Sequence, residues 1–381
     1  MILSIFSYMK TTYYKKIKKN SYSLYMIKNL SPSRASQFKT CPKQFKFSNI
    51  DKIKEPTNEV QAKGTLVHEA LEELYKLDVK DRPDEIKQEE VFSEINIIEK
   101  TERDSGDKSK ILHDIFRKIF TEKRNSEEYY ELFNSDDIDI KKFGKDALKL
   151  LTNYLTLENP KKIKALEVER WVRGPIEDLN LRGILDRIDR DKDGNLIIVD
   201  YKSGKAPDPK YKDDSFFAMK LYALLIRDEL GEIPKELKLI YLKNSTVRYY
   251  EVDENTLNNV REEILEIWKN IKFAYESNEF PPIKNPLCKN WCYYKPICPE
   301  FNENPPDTDK LASIENEISI TKKKLEEIDI IENPENIPKK SPLHNIDKEI
   351  NELKEKIEKL TSEKKLILEV IDNLLRKQSS S

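Results

Sequence analysis

From about residue 163 the spacing of apolar residues changes from near 3.6 to near 2, and this change decides the class of fold open to the chain. Upstream, residues 58–77 (NEVQAKGTLVHEALEELYKL) line up Val67, Ala70, Leu71, Leu74 and Leu77 on one helical stripe. Residues 80–158 are polar and helical in tone. Their apolar stripe is expected at Ile111, Ile115 and Ile119, as in a helical insertion or cap. Downstream, KALEVERWVRG, NLRGILDRIDRD and NLIIVDYKSGK read as strands, with Asp193-Gly194 as a two-residue hairpin turn. Two more strands are expected at 237–243 and 246–252, and helices at 215–230, stopped by Gly231, and 254–277. Interleaved helices and strands place the chain in the α/β class.

The two ends read differently. After Pro305-Pro306 the apolar spacing alternates between three and four, through Leu311, Ile314, Ile318, Thr321, Leu325 and Ile328, and again from Ile346 to Leu374. The intervening ENPENIPKKSP holds three prolines and cannot be helical throughout, so an antiparallel coiled-coil hairpin is expected over 309–378. Residues 1–29 carry six lysines and no acid. They are expected to be a disordered basic tail, with a start at Met26 or a nucleic-acid-binding arm as alternatives. Four cysteines are too few for a disulfide scaffold, and no run approaches the roughly 20 apolar residues of a membrane span. The expectation is a soluble, cytoplasmic protein with no membrane partner. A net charge of −2 gives no support to a wholesale nucleic-acid coat protein but allows a local basic channel.

Asp186 lies mid-strand between Ile184 and Ile188, on what alternation makes their face. Asp200 ends the apolar run Leu196–Val199, and Lys202 follows on the same face. Counted from a two-residue turn, Asp186 and Asp200 fall within one residue of direct opposition. Two carboxylates and an ammonium on a half-buried face need compensation, and a divalent metal supplies it. Such a metal could activate water against a phosphodiester, with Lys202 positioning the water or stabilising phosphate charge. A plain strand-end salt bridge is the competing reading of Asp-x-Lys.

Five segments in order, LSPSRASQFKTCPKQFKF, GTLVHEALEEL, RGILDRID, VDYKSGK and CKNWCYYKPICPEF, resemble the RecB-like exonucleases of the PD-(D/E)XK nuclease superfamily. The resemblance spans about 30–302, with 80–158 matched by position only. It implies an α/β fold with a restriction-endonuclease-like core, a central mixed sheet flanked by helices, and a metal-dependent DNA exonuclease acting in repair or recombination. His68, Asp186 and Asp200 would be ligands to Mg²⁺ or Mn²⁺. Lys202 and Tyr222 would complete the catalytic set. His68 sits beside Leu71 and Tyr75 at the margin of its helical stripe, where the pattern alone would suit a bland boundary residue equally well. The family's Gln-x-x-x-Tyr motif is only half present, because Ala218 stands at the glutamine position.

The resemblance also implies that Cys41, Cys288, Cys292 and Cys298 hold a [4Fe–4S] cluster as an AddB-type staple, with zinc the second choice. Cys288 and Cys292 are separated by one residue more than the family's usual spacing. DNA is the expected partner, bound without sequence specificity through Arg173, Arg182 and Arg187 in the arginine-rich strands. Trp171, Phe216 and Phe217 offer stacking surfaces, with core packing the plainer reading. No G-x-x-x-x-G-K-[ST] loop occurs, so unwinding would need a helicase subunit. The C-terminal hairpin would dock that subunit or a second copy. The alternative is a catalytically weak, nuclease-fold subunit that binds DNA ends and docks on a helicase. Glycine is scarce, 8 in 381, and four of the eight (Gly64, Gly183, Gly194 and Gly204) lie close to His68, Asp186, Asp200 and Lys202.

Overall fold

The structure, a computed structural model, describes residues 27, 29–87, 108–135, 138–331 and 343–379. Apart from Ile27 and Asn29, the expected basic tail therefore lies outside the described residues, as do parts of the expected insertion and the proline-rich segment 332–342. The strands are β1 (Asn29–Leu30), β2 (Ala165–Ile176), β3 (Leu179–Arg190), β4 (Leu196–Lys202), β5 (Glu236–Tyr241) and β6 (Thr246–Glu251). The helices of two turns or more are α1 (Pro32–Thr40), α2 (Pro42–Asn49), α3 (Glu59–Lys76), α4 (Lys110–Lys123), α5 (Ile140–Leu155), α6 (Lys212–Leu230), α7 (Glu254–Ser277), α8 (Asp309–Ile331) and α9 (Leu343–Ser379). Among the described residues no helix is long and apolar enough to cross a membrane.

The chain divides into two compact units. The first, residues 28–36 and 54–267, holds a mixed sheet. β3 pairs antiparallel with β2 along one edge. Its other edge pairs with β1 at Asn180–Leu181 and with β4 at Arg187–Arg190. β4 and β5 run parallel, joined through α6, and β6 closes the sheet antiparallel to β5. α3, α4 and α5 pack with Val199, Tyr201, Ile240 and Leu242 of the sheet side in one apolar cluster. The α4 stripe differs from the expected one: Ile111 is 42% exposed, and Leu112, Phe116 and Ile119 form the buried face. Isoleucine spacing alone misplaced the face by about one residue.

The β3–β4 turn is also one residue longer than expected. Arg190 pairs with Leu196, Asp191 N donates to Asn195 O at 3.0 Å, and Gly194 N donates to Asp191 O at 3.1 Å. The loop is therefore Lys192-Asp193-Gly194, with Gly194 left-handed at φ 90°. Asp191 builds it by accepting from Asp193 N (2.9 Å) and from Asn195 N and Nδ2 (2.8 Å each). The longer turn removes the one-residue offset.

The second unit, residues 37–53 and 268–381, gathers α2, the cysteine-bearing loop, α8 and α9 around Phe47, Ile53, Tyr294, Ile297, Leu311 and Ile371. Pro42 opens α2 at its first turn, with Cys41 as the N-cap. Lys46 is buried between Asp51 (2.6 Å) and Asp309 (2.8 Å). α8 and α9 pack antiparallel. Lys310–Glu363 (3.7 Å), Lys356–Glu317 (2.8 Å) and Lys364–Glu315 (2.6 Å) are ion pairs between them.

Candidate active site

The β3–β4 ladder ends at Arg187–Val199. Continued by one residue, its register puts Asp186 directly across from Asp200. There the next rung is made by a side chain: Tyr201 N donates to Asp186 Oδ2 at 2.8 Å. Lys202 Nζ lies 2.5 Å from Asp200 Oδ2. The ammonium is thus the close ion-pair partner of that buried oxygen.

His68 comes from α3, whose start is fixed by a capping box. Asn58 Oδ1 accepts from Val60 N and Gln61 N, and Gln61 Oε1 accepts from Asn58 N. Burial of Leu66, Val67, Ala70 and Leu71 turns His68, Glu69 and Glu72 toward a pocket shared with Glu169, Ile184 and Asp186. His68 Nδ1 is 3.2 Å from Asp186 Oδ2, and its ring meets Tyr201 edge-on at 5.9 Å. Tyr222 projects from α6 against Gly183, and Ala218 stands one turn earlier.

Electrostatics separates the two aspartates. Burial alone would raise Asp186, but His68, the Tyr201 N–H and Lys202 hold it below the ordinary carboxylate value. Asp200 is raised by burial and by Asp186, with Lys202 only partly opposing. His68 is pulled down by burial yet raised overall by the two carboxylates. Lys202 likewise is raised, because Asp200 outweighs burial. Tyr222 is pushed up to about 12 by burial and both aspartates.

Glu169 is the residue the sequence reading missed. It stands across the β2–β3 register from Asp186, between the pairs Val168–Arg187 and Arg170–Leu185. Its backbone is left-handed, φ 47°, inside a strand. Burial, Asp186 and Glu72 push its carboxyl up to about 7. The only local hint is charge at a strand position, which is too common to single it out.

Of the three arginines assigned to DNA, Arg187 is a correction. It is 0% exposed and bonded to Glu158 (3.0 Å), Asp189 (2.8 Å), Tyr154 (3.2 Å) and Tyr201. Glu158 is also held by Lys238. Arg187 cannot reach a phosphate. Arg173 and Arg182 are exposed and directly opposite each other across β2–β3. Phe216 and Phe217 lie in the core, whereas Trp171 is 65% exposed.

Cys41, Cys288, Cys292 and Cys298 line one pocket of the second unit. Ile283 N and Asn285 N point at the sulfurs of Cys41 and Cys288, at 3.5 and 3.4 Å. Burial and the neighbouring thiols push Cys292 up to about 11 and raise Cys298. Among the described residues, no group of three or more His, Cys, Asp or Glu side chains is placed to hold a metal ion, here or beside Asp186. The donor types beside Asp186, two carboxylates and an imidazole, are nevertheless those a divalent metal takes.

Residues 29–299 match the model of the PD-(D/E)XK nuclease superfamily. A search of the curated proteins finds no match. Among solved structures the chain is similar to a presumed exonuclease of Eubacterium rectale, at 11% identity and a TM-score of 0.40, covering 71% of this chain and 90% of that one. It is also similar to SSO0001, at 14% identity and a TM-score of 0.27, covering 62% and 95%.

Proposed function

The chain belongs to the PD-(D/E)XK nuclease superfamily, and from that premise we propose that it is a RecB-like, metal-dependent DNA exonuclease of repair or recombination. The observation that carries the reading is the convergence of Asp186, Asp200 and Lys202 where β3 and β4 part. The RecB-like and exonuclease parts rest on the five ordered motifs.

His68, Asp186 and Asp200 would hold Mg²⁺ or Mn²⁺, which when bound polarises the phosphodiester and makes its coordinated water more acidic. The protein groups have separate tasks. Asp186, kept ionised by His68 and the Tyr201 N–H, is the permanent anion of the site. Asp200, brought across from Asp186 by the β3–β4 register, would be the second carboxylate of the metal site. Lys202, held as an ammonium by Asp200, stabilises negative charge growing on the phosphate. Tyr222, kept a phenol, donates a hydrogen bond to hold the backbone of the substrate. Arg173 and Arg182 contribute phosphate contacts that do not read sequence.

The four cysteines are proposed to hold a [4Fe–4S] cluster that fastens residue 41 to residues 288–298, stabilising the fold rather than entering the reaction. The α8–α9 pair is proposed as the docking arm for a helicase subunit or a second copy. Ala218 favours the second reading, a catalytically weak DNA-end-binding subunit, because a glutamine contact is missing there.

The test is a nuclease assay on linear and circular, single- and double-stranded DNA with Mg²⁺ or Mn²⁺. Cleavage of linear DNA that Lys202→Ala reduces at least about 100-fold supports the enzyme. Equal cleavage by both proteins defeats it, and tight end binding without cleavage selects the second reading.

A further inference from the structure

The outward face of the β2–β3 ribbon departs from what a solvated strand face should carry. Val172, Leu181 and Leu185 are buried, so the alternate positions face out and ought to be polar. Instead Trp171 and Ile184 stand directly opposite each other, 65% and 37% exposed. Next along the ribbon are Arg173 and Arg182, also directly opposite. Like charges across a ladder repel, and neither arginine has an ion-pair partner among the described residues. An anion between them would remove the repulsion. The face is continuous with the carboxylate site, because Ile184 lines the same pocket as His68, Glu169 and Asp186.

We propose that this face is a track for single-stranded DNA, on which Trp171 stacks on an unpaired base beside the site and Arg173 with Arg182 grips the backbone beyond it. This rests on the nuclease reading and names the part of the substrate that the ribbon holds. Along β3, Ile184 is one two-residue step from Asp186 and Arg182 is two, each step about 6.6 Å. An apolar platform next to the carboxylates followed by paired cations is the combination that holds a single strand without reading its sequence. Duplex DNA offers the arginines its phosphates but keeps its base faces covered, so Trp171 gains nothing from it.

The test measures binding in the full chain carrying Lys202→Ala, which separates binding from cleavage. Adding Trp171→Ala should weaken affinity for labelled oligo-dT about tenfold. Affinity for a blunt duplex should change less than about twofold, and Trp171→Phe should recover most of the loss. Arg173→Ala with Arg182→Ala should lower the slope of log affinity against log salt by about 1.4, two phosphate contacts on a single strand. Unchanged oligo-dT affinity in Trp171→Ala, or an equal loss on duplex, overturns the track. A parallel cleavage assay with native Lys202 keeps the two ideas apart. Cleavage in Mg²⁺ without any Trp171 effect on binding sinks the track alone. Trp171-dependent binding without cleavage sinks the enzyme alone.

Discussion

Gly183 lies under the ring of Tyr222: a methyl group on Gly183 would stand 2.8 Å from the Tyr222 hydroxyl oxygen and 3.0 Å from Cζ. β3 is thus bare at the point where the α6 tyrosine comes down beside Asp186. Gly183→Ala should push Tyr222 off the site at a stability cost of about 1–3 kcal/mol. Cleavage by the folded protein should fall at least about tenfold. In a Tyr222→Ala background the same substitution should do little to activity, and an additive double-mutant cycle would disprove the connection.

Arg187 is placed for stability. Removing it leaves Glu158 and Asp189 buried with only part of their compensation. Arg187→Met should therefore cost about 3–5 kcal/mol in a urea titration. The fraction still folded should bind DNA with native affinity. A stable Arg187→Met protein with weakened DNA binding would restore the phosphate-contact role that burial argues against.

The β3–β4 turn sets a pH dependence. Asp191 is held down to about 2, first by the Asn195 side chain and then by backbone N–H groups and Lys235. The folded value lies below the ordinary 3.8, so the turn's contribution is complete above about pH 4 and is lost as pH falls through 2. A carboxyl NMR titration should place the Asp191 midpoint near 2. Asp191→Ala should flatten that part of the acid-unfolding curve, and a midpoint near 4 would show that the turn does not hold the carboxylate.

The cysteine pocket makes a visible prediction. Protein prepared without oxygen should be brown, and Cys41→Ser should lose the absorption band together with part of the thermal stability. A colourless wild-type protein containing stoichiometric zinc would assign the pocket to zinc instead.

Much of the first unit was legible because it is written in local periodicity. The helices expected at 58–77, 215–230 and 254–277 and the strands on either side of Asp193-Gly194 follow from spacing within a dozen residues. The closeness of Asp186 and Asp200 was legible for the same reason, and only the turn length needed correcting. What escaped depends on distance along the chain. Arg187 looked like its arginine neighbours until Glu158, 29 residues earlier, proved to be its partner. Alternation put Trp171 and Val172 on opposite faces without saying which face a helix would cover. Glu169 owes its place to a backbone conformation that no side-chain pattern encodes.

The rung that Asp186 makes with the Tyr201 N–H bears on how an inactive protein should be prepared for trapping studies. Deleting the carboxyl as Asp186→Ala would also orphan a main-chain donor at the mouth of the sheet. Any collapse of substrate binding would then have two causes. Asp186→Asn keeps an acceptor oxygen for that donor while removing the charge. The amide, not the alanine, is therefore the faithful blank for this molecule.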